Sequence, residues 1–410
     1  MQNPIQHCRI CGNASLVQIL DLGEQVLTGI FPREKCEKIT KGPLRLVKCM
    51  TLGSCGLVQL ADSYDLGEMY GENYGYRSGL NASMVSHLHA KISRISAFVA
   101  LQPGDLIVDI GSNDSTTLQA YPNNMTLVGV DPTGAKFRSF YPTHVELIPD
   151  FFSSSLVKER YPGRKAKVVT SFSMFYDLEA PVQFMREIHE IITDDGVWVF
   201  EQSYLPTMLE RNSFDTVCHE HLEYYALKQI KWMADRIGFV IVDLEFNDVN
   251  GGSFSVTVKK ASKLAIESPL VAETLQRESD LGLDSLAPYQ AFAERVERLR
   301  RELVDFIRGA LHEGKTVSAI GASTKGNVLL QYDQLDSSVL TSVGEVNPEK
   351  YGAFTPGTLV PIVPESELLA VPPDYLLVLP WHFKEYFCAA PRYKGCSLLF
   401  PLPAVEVVRC

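Results

Sequence analysis

The run Leu106-Ile107-Val108-Asp109-Ile110-Gly111-Ser112-Asn113-Asp114 decides how this chain is read. Its first five residues have the apolar character of a strand buried on both faces, broken only by one acid. Gly111 then lets the backbone turn closely past a ligand, as at the opening loop of many nucleotide-type cofactor sites. The loop lacks GxGxxG, which counts against an ordinary dinucleotide site. Similar short runs follow at 126–130, closed by Asp131-Pro132, at 145–148, closed by Pro149-Asp150, and at 166–170 and 196–201. Helical patterns such as 181–193 separate several of them. This alternation predicts a doubly wound parallel α/β sheet, with 238–244 and 252–258 adding an antiparallel end.

In such a sheet, ligands bind outside the carboxyl ends of the strands. The groups expected there are Asp109, Gly111, Asn113 and Asp114, then Asp131 with Pro132, then Asp150, Phe151 and Phe152, and Ser171 after the fourth strand. Asp131, about twenty residues beyond the first loop, can take the hydroxyls of a ribose. Asp150 can accept from an adenine amino group while a phenyl ring packs on the base. Strand-end acids are often turn residues, but together these groups favour an S-adenosylmethionine pocket over a packing-only reading.

Working outward, residues 81–101 read as a helix with Met84, Leu88, Ile92, Ile95 and Val99 on one face. A long helix is expected at 288–314. A second strand-to-glycine-loop signal follows at Thr316–Gly326, with further strands at 340–343, 375–379 and 396–400. The first 75 residues read as loop-rich, a small module that needs a metal to fold.

The 410 residues carry a formal net charge of −11, with 46% hydrophobic and 21% charged residues. That excludes a mainly disordered chain and disfavours nucleic-acid binding, which calls for clustered Lys and Arg. No run approaches the roughly 20 apolar residues of a membrane span. Residues 1–12 lack the pattern of a secretory signal. A cytoplasmic monomer without a membrane or nucleic-acid partner is expected.

Cys8 and Cys11 form a CxxC turn, which can present two thiolates to one zinc ion. Cys49 and Cys55 would complete a closed, structural site, although five residues separate them rather than two. Cys36 is a spare candidate, and unrelated reduced cysteines are the alternative.

The segment Cys218-His219-Glu220-His221-Leu222-Glu223-Tyr224-Tyr225 concentrates titratable groups. A histidine there can take a proton near neutral pH, with a neighbouring Glu fixing its tautomer and a Tyr holding an oxyanion. A metal site and a hydrogen-bonded core are the alternatives. Tyr74, Tyr76 and Arg77 precede a helix and can line a sugar or phosphate site, with a surface packing strip as the alternative. Gly321-Ala322-Ser323-Thr324-Lys325-Gly326-Asn327 does not fit a P-loop but offers backbone N–H groups, hydroxyls and an ammonium to a phosphate, a glycine-rich turn with a solvated Lys being the alternative. Trp381 and His382 could wall the same site.

These motifs, with Cys55-Gly56-Leu57-Val58-Gln59-Leu60, Tyr74-Gly75-Tyr76 and Phe175-Tyr176-Asp177-Leu178, make the chain resemble the three-domain, zinc-containing sugar C-methyltransferases that act on nucleotide-linked 4-keto deoxysugars. The resemblance spans nearly the whole chain. It implies a zinc-binding module at 1–75, a Rossmann-like class I methyltransferase domain at 76–260, and a helical connector with a C-terminal Rossmann-like α/β domain at 261–410. It also implies S-adenosylmethionine and a structural zinc as cofactors. A base would remove the proton beside the C4 ketone, usually at C3, and the enolate carbon would take the methyl group. His221 would be that base and Glu220 its partner, with Tyr76 against the sugar or sulfonium. Tyr74, Ser323, Thr324, Lys325, Asn327, Trp381 and His382 would face the nucleotide sugar.

Three departures from the family pattern stand out besides the cysteine spacing. Ser115 occupies a place where glycine is frequent. Cys218 stands where some members carry an active-site Tyr, leaving Tyr224 or Tyr225 to assist the enolate. Residues 171–177 lack a His found in some members and carry Phe175-Tyr176 instead. O-methylation of a sugar or related metabolite is the competing reading. An NAD-dependent oxidoreductase and a non-catalytic assembly protein are more distant ones.

Overall fold

The structure, a computed structural model, describes residues 3–51, 53–69 and 76–410. Tyr74 lies outside the described residues.

The central sheet has seven strands. They are β1 (Leu106–Ile110), β2 (Thr126–Val130), β3 (Val145–Ile148), β4 (Ala166–Phe172), β5 (Ile192–Ser203), β6 (Phe239–Asn247) and β7 (Ser253–Lys260). In space they run β6-β7-β5-β4-β1-β2-β3. β1 to β5 are parallel, and β7 lies antiparallel between β5 and β6. Every residue of β1 is buried, which is why its sequence is a continuous run rather than an alternation. After β3 the chain crosses to β4 on the other side of β1. The order therefore reverses at β1, and the crevice beyond its carboxyl end is the place for a ligand.

The C-terminal unit repeats this logic. β8 (Val317–Ile320), β9 (Val343–Glu345), β10 (Ile362–Pro364), β11 (Tyr375–Val378), β12 (Ser397–Phe400) and β13 (Glu406–Arg409) form a second sheet in the order β10-β9-β8-β11-β12-β13. It is parallel except for its last pair. The long helix is observed at Ala287–His312, while the strand expected at 340–343 lies at Val343–Glu345. Among the described residues no helix is long and apolar enough to cross a membrane.

The N-terminal segment corrects the expectation of a loop-rich module. Leu16–Val26, Lys41–Cys49 and Val58–Leu60 form an antiparallel sheet, and Glu223–Tyr224 from the central unit adds its edge. The signal was hidden because the pairing shifts register between Gln18 and Leu20 and again between Asp21 and Glu24. Such bulges throw a period-two alternation out of phase. Leu20, Leu22, Leu44 and Leu46 share one core with Leu222, Phe292, Val296, Val328 and Leu329. The sheet therefore gains its hydrophobic face from the other two units.

The loop after β1 is wound tightly, with positive φ at Gly111 (72°), Asn113 (49°) and Ser115 (68°). Ser115 thus keeps the left-handed backbone that a glycine would adopt, and its buried hydroxyl has no partner. A side chain in that conformation costs roughly 1–2 kcal/mol. Ser115→Gly is expected to raise stability by about 1 kcal/mol, seen as a Tm higher by a few degrees. An unchanged or lower Tm would contradict this account of the loop.

Candidate active site

A cavity opens at the ends of β1, β2 and β4. Of the residues expected there, Asp109, Gly111, Asn113, Asp131, Pro132, Phe151 and Phe152 line it. Met84 and Leu88 of the helix Ala82–Ile95 wall it, as do Tyr76, Ser173 and Met174. Gly111 has a φ of 72°, and a Cβ there would also lie 3.1 Å from the Met174 side chain, so the backbone conformation first and the space second favour glycine.

Asp109 accepts a hydrogen bond from the Thr170 hydroxyl through one oxygen, while its other oxygen is buried without a partner. Burial, with some repulsion from Asp131, pushes this carboxyl up to about 7. A buried acceptor left open on a cavity wall calls for a donor on the ligand. Asp131 accepts from the Asn113 backbone N–H at 2.7 Å, and from the Thr133 N–H and hydroxyl at 2.7 and 2.6 Å. A carboxylate has about four acceptor sites, so a ribose hydroxyl can still be accommodated. These features fit S-adenosylmethionine.

Three residues expected at the cofactor are placed elsewhere. Asp114 holds down the segment 77–80: it accepts from the Gly79 N–H at 2.9 Å and lies 3.7 Å from Arg77. Asp150 is exposed and accepts from the Phe151 N–H. Ser171 is fully buried and accepts from the Trp198 indole at 3.0 Å. Strand alternation explains the last case, since it sends Thr170 to Asp109 and Ser171 into the aromatic core.

The sulfurs of Cys8, Cys11, Cys49 and Cys55 lie within 4.8 Å of one another. Two of the pairs, Cys8–Cys55 and Cys11–Cys49, are at 3.5 Å. A tetrahedral zinc with bonds of about 2.3 Å needs edges of about 3.8 Å, so the four thiols fit a closed structural site. Between Cys49 and Cys55 the Ser54 N–H donates to the Thr51 carbonyl at 3.0 Å. Asn13 donates to Cys49 at 3.2 Å, a supporting contact of the kind that orients metal ligands. Cys36 is exposed, bonds Glu34 and stays outside the cluster. Among the described residues this is the one cluster able to hold a metal ion. His219 is core: it is fully buried, edge-on to Tyr64 and 3.4 Å from the Gly42 carbonyl.

His221 presents the other chemistry. Its Nδ1 lies 2.8 Å from the Thr216 carbonyl. A carbonyl only accepts, so Nδ1 carries the proton and Nε2 keeps a bare lone pair. Burial, and then the Lys325 charge, push the imidazole down to about 4, so it is neutral at pH 7. Glu220 is not its partner. The Glu220 carboxyl packs against Gly29, where a Cβ would lie 2.2 Å from Oε1 and 3.7 Å from the Thr324 hydroxyl. Burial pushes Glu220 up to about 7. Tyr224 turns its hydroxyl to the same Thr216 carbonyl at 3.4 Å, so it braces the segment rather than opening into the site.

The glycine loop after β8 is also used differently than expected. Ser323 caps the helix Thr324–Tyr332 by accepting from the Gly326 N–H. Asn327 is fully buried and donates to the Thr28 carbonyl at 2.8 Å. Lys325 crosses to the central unit, donating to the Asn250 carbonyl at 2.7 Å, with Asp215 and His221 in its field. The Trp381 indole donates to Asp215 at 2.8 Å. His382 is pushed down to about 3 by burial and then by Lys325. The sequence drew attention to Phe175-Tyr176 only as replacing a His found in some relatives and gave Tyr176 no role, whereas its ring stands edge-on to His221 with centroids 4.5 Å apart.

Stripping metal from the purified protein is expected to release one zinc per chain and lower the Tm by several degrees. Elemental analysis with a thermal melt reads both. An unchanged Tm after zinc loss would contradict a structural role.

Three family models match in order along the chain. A zinc binding domain covers 8–70, a methyltransferase domain 84–244 and a C-methyltransferase C-terminal domain 248–403. The C-methyltransferase NovU of Streptomyces niveus is 29% identical over 412 residues, spanning 99% of this chain and 97% of NovU. Among solved structures, an S-adenosylmethionine-dependent methyltransferase from Clostridium acetobutylicum aligns over 44% of this chain and 93% of its own, at 12% identity and a TM-score of 0.33. The Haloferax volcanii complex of the Trm112 activator with a methyltransferase aligns over 45% of this chain and 95% of its own, at 13% identity and a TM-score of 0.37. With the full-length relative, the ordered domain matches and the four-cysteine cluster in view, the chain joins a zinc binding domain, a methyltransferase domain and a C-methyltransferase C-terminal domain, and it is an S-adenosylmethionine-dependent methyltransferase.

Proposed function

We propose that this enzyme methylates a carbon beside the ketone, C3 in the expected case, of a nucleotide-linked 4-keto deoxysugar. In this reading 1–75 is the zinc-stabilised module, 76–260 holds the cofactor, and 261–410 contributes the nucleotide-sugar side. The observation that carries the proposal is His221, a neutral imidazole with its lone pair free on Nε2 and an ammonium nearby. S-adenosylmethionine, when bound at the strand ends, supplies an electrophilic methyl group. The protein must then make carbon nucleophilic, and that calls for a base beside a weakly acidic C–H.

His221 Nε2 takes the proton and the carbonyl oxygen gains the charge. Lys325 acts twice on this step. Its charge keeps the free imidazole neutral, which also makes it a weaker base, and it offsets that by favouring negative charge as that charge develops on the acceptor. Burial around Glu220, His221 and Lys325 keeps the local dielectric low, which strengthens both effects. Gly29, Glu220 and Thr324 bring all three units to this wall. A binding role for the residues from Thr324 to Lys325 is consistent with that position.

His221→Asn is expected to lower methyl transfer by roughly 10³-fold, within the range for loss of a general base, while cofactor affinity stays within about twofold. In heavy water the native enzyme is expected to place deuterium beside the ketone, and the variant none. A variant with native turnover, or methylation of a hydroxyl without exchange, would contradict the proposal.

A further inference from the structure

An oxyanion forming beside His221 needs a hydrogen-bond donor, and the phenols around the imidazole can be sorted by where their hydroxyls go. Tyr224 is committed to the Thr216 carbonyl. Tyr225 is stacked on Phe175 and fully buried in the aromatic core. Tyr76 is half exposed at the rim of the cofactor cavity. Cys218 is fully buried and offers only a thiol.

Tyr176 is placed differently. Its ring stands edge-on to the His221 imidazole at 67°, with centroids 4.5 Å apart. Its backbone carbonyl accepts from the Leu222 N–H at 2.8 Å, so the turn Phe175–Asp177 and the His221 segment are fastened together. Asp177 is the first charged or polar group acting on its phenol, followed by Cys218, then Ser173, whose side chain hydrogen-bonds the hydroxyl and favours charge on it, and Tyr76. Ser173, Tyr76 and Asp177 all line the cofactor cavity. Tyr176 therefore occupies the partition between the methyl-donor cavity and the base. It is nearly buried, and burial holds its phenol well above the ordinary range, so it remains a donor at neutral pH.

We propose that the Tyr176 hydroxyl donates the hydrogen bond that holds the acceptor's oxyanion while His221 removes the adjacent proton. This rests on the keto-sugar reading above. The proton passes from carbon to His221 Nε2. The C–H pair becomes the C=C bond of the enolate, and the carbonyl π pair moves onto oxygen, where Tyr176 O–H receives it. The enolate carbon would then take the methyl group as the carbon–sulfur bond of the donor breaks, its electron pair staying on the sulfur of the departing S-adenosylhomocysteine; the ketone is restored, the phenol has given up no proton, and His221 returns its proton to solvent.

Tyr176→Phe removes the hydroxyl and keeps the ring against His221. With thymidine-diphosphate-4-keto-6-deoxyglucose as probe, two rates are read. One is methyl transfer, and the other is exchange of the hydrogen beside the ketone in heavy water with S-adenosylhomocysteine in place of the methyl donor. The expected result is a loss of roughly 10²-fold in both rates, the range for removing one oxyanion donor. KM for the probe, cofactor affinity and Tm should change little. Native rates in the variant would overturn the proposal. So would slow methyl transfer with native exchange, because the hydroxyl would then act on a later step. A coupled loss of cofactor affinity and Tm would assign Tyr176 to the fold and overturn it too. If the native enzyme shows neither exchange nor methylation while His221→Asn behaves identically, the keto-sugar reading falls first and takes this role with it.

Discussion

One backbone carbonyl, that of Thr216, sets the chemistry of this site. It accepts from His221 Nδ1 and from the Tyr224 hydroxyl. The first bond fixes which ring nitrogen is bare, and the second ties that choice to the N-terminal sheet through the strand Glu223–Tyr224. A histidine with its proton on the other nitrogen would present a donor where the reaction needs an acceptor. The tautomer is thus held by a main-chain dipole that cannot titrate, not by the neighbouring carboxylate.

The same segment is held from every side. The helix Thr324–Tyr332 packs on the turn Phe214–Thr216 and reaches the N-terminal strand through side-chain amides. Asn327 bonds the Thr28 carbonyl, and Gln331 both accepts from the Val26 N–H at 2.8 Å and donates to its carbonyl at 3.1 Å. Gln331 thereby extends the strand's ladder with a side chain. Zinc closes the far end of that sheet, where Cys8, Cys49 and Cys55 share a core with Leu227, Ile230 and Met233 of the methyltransferase unit. A structural metal far from the chemistry can therefore govern how well the base is placed.

Much of this was legible in the sequence because strands buried on both faces announce themselves. The β1 run and the acids after β1 and β2 led to the sheet, its polarity and its ligand edge. What stayed hidden followed from directions that a linear sequence does not carry. Thr170 and Ser171 are neighbours, yet pleating sends one to Asp109 and the other to Trp198. Ser323 and Asn327 have the composition of a phosphate loop, yet they are spent on a helix cap and an interdomain bond. The bulged strands of the N-terminal sheet lost their alternation, and Tyr176 stood out only as part of a segment that lacks a His found in some relatives until the fold set it against His221.

The central claim is that the chain makes a carbon nucleophile rather than an oxygen one. The most direct test supplies S-adenosylmethionine carrying carbon-13 in its methyl group to the enzyme with a carbon-13-labelled 4-keto deoxysugar nucleotide, and reads the product by NMR. The account predicts a new methyl signal split by a one-bond carbon–carbon coupling to the ring carbon beside the ketone. A methyl signal without that coupling, at the position of an ether carbon, would contradict it.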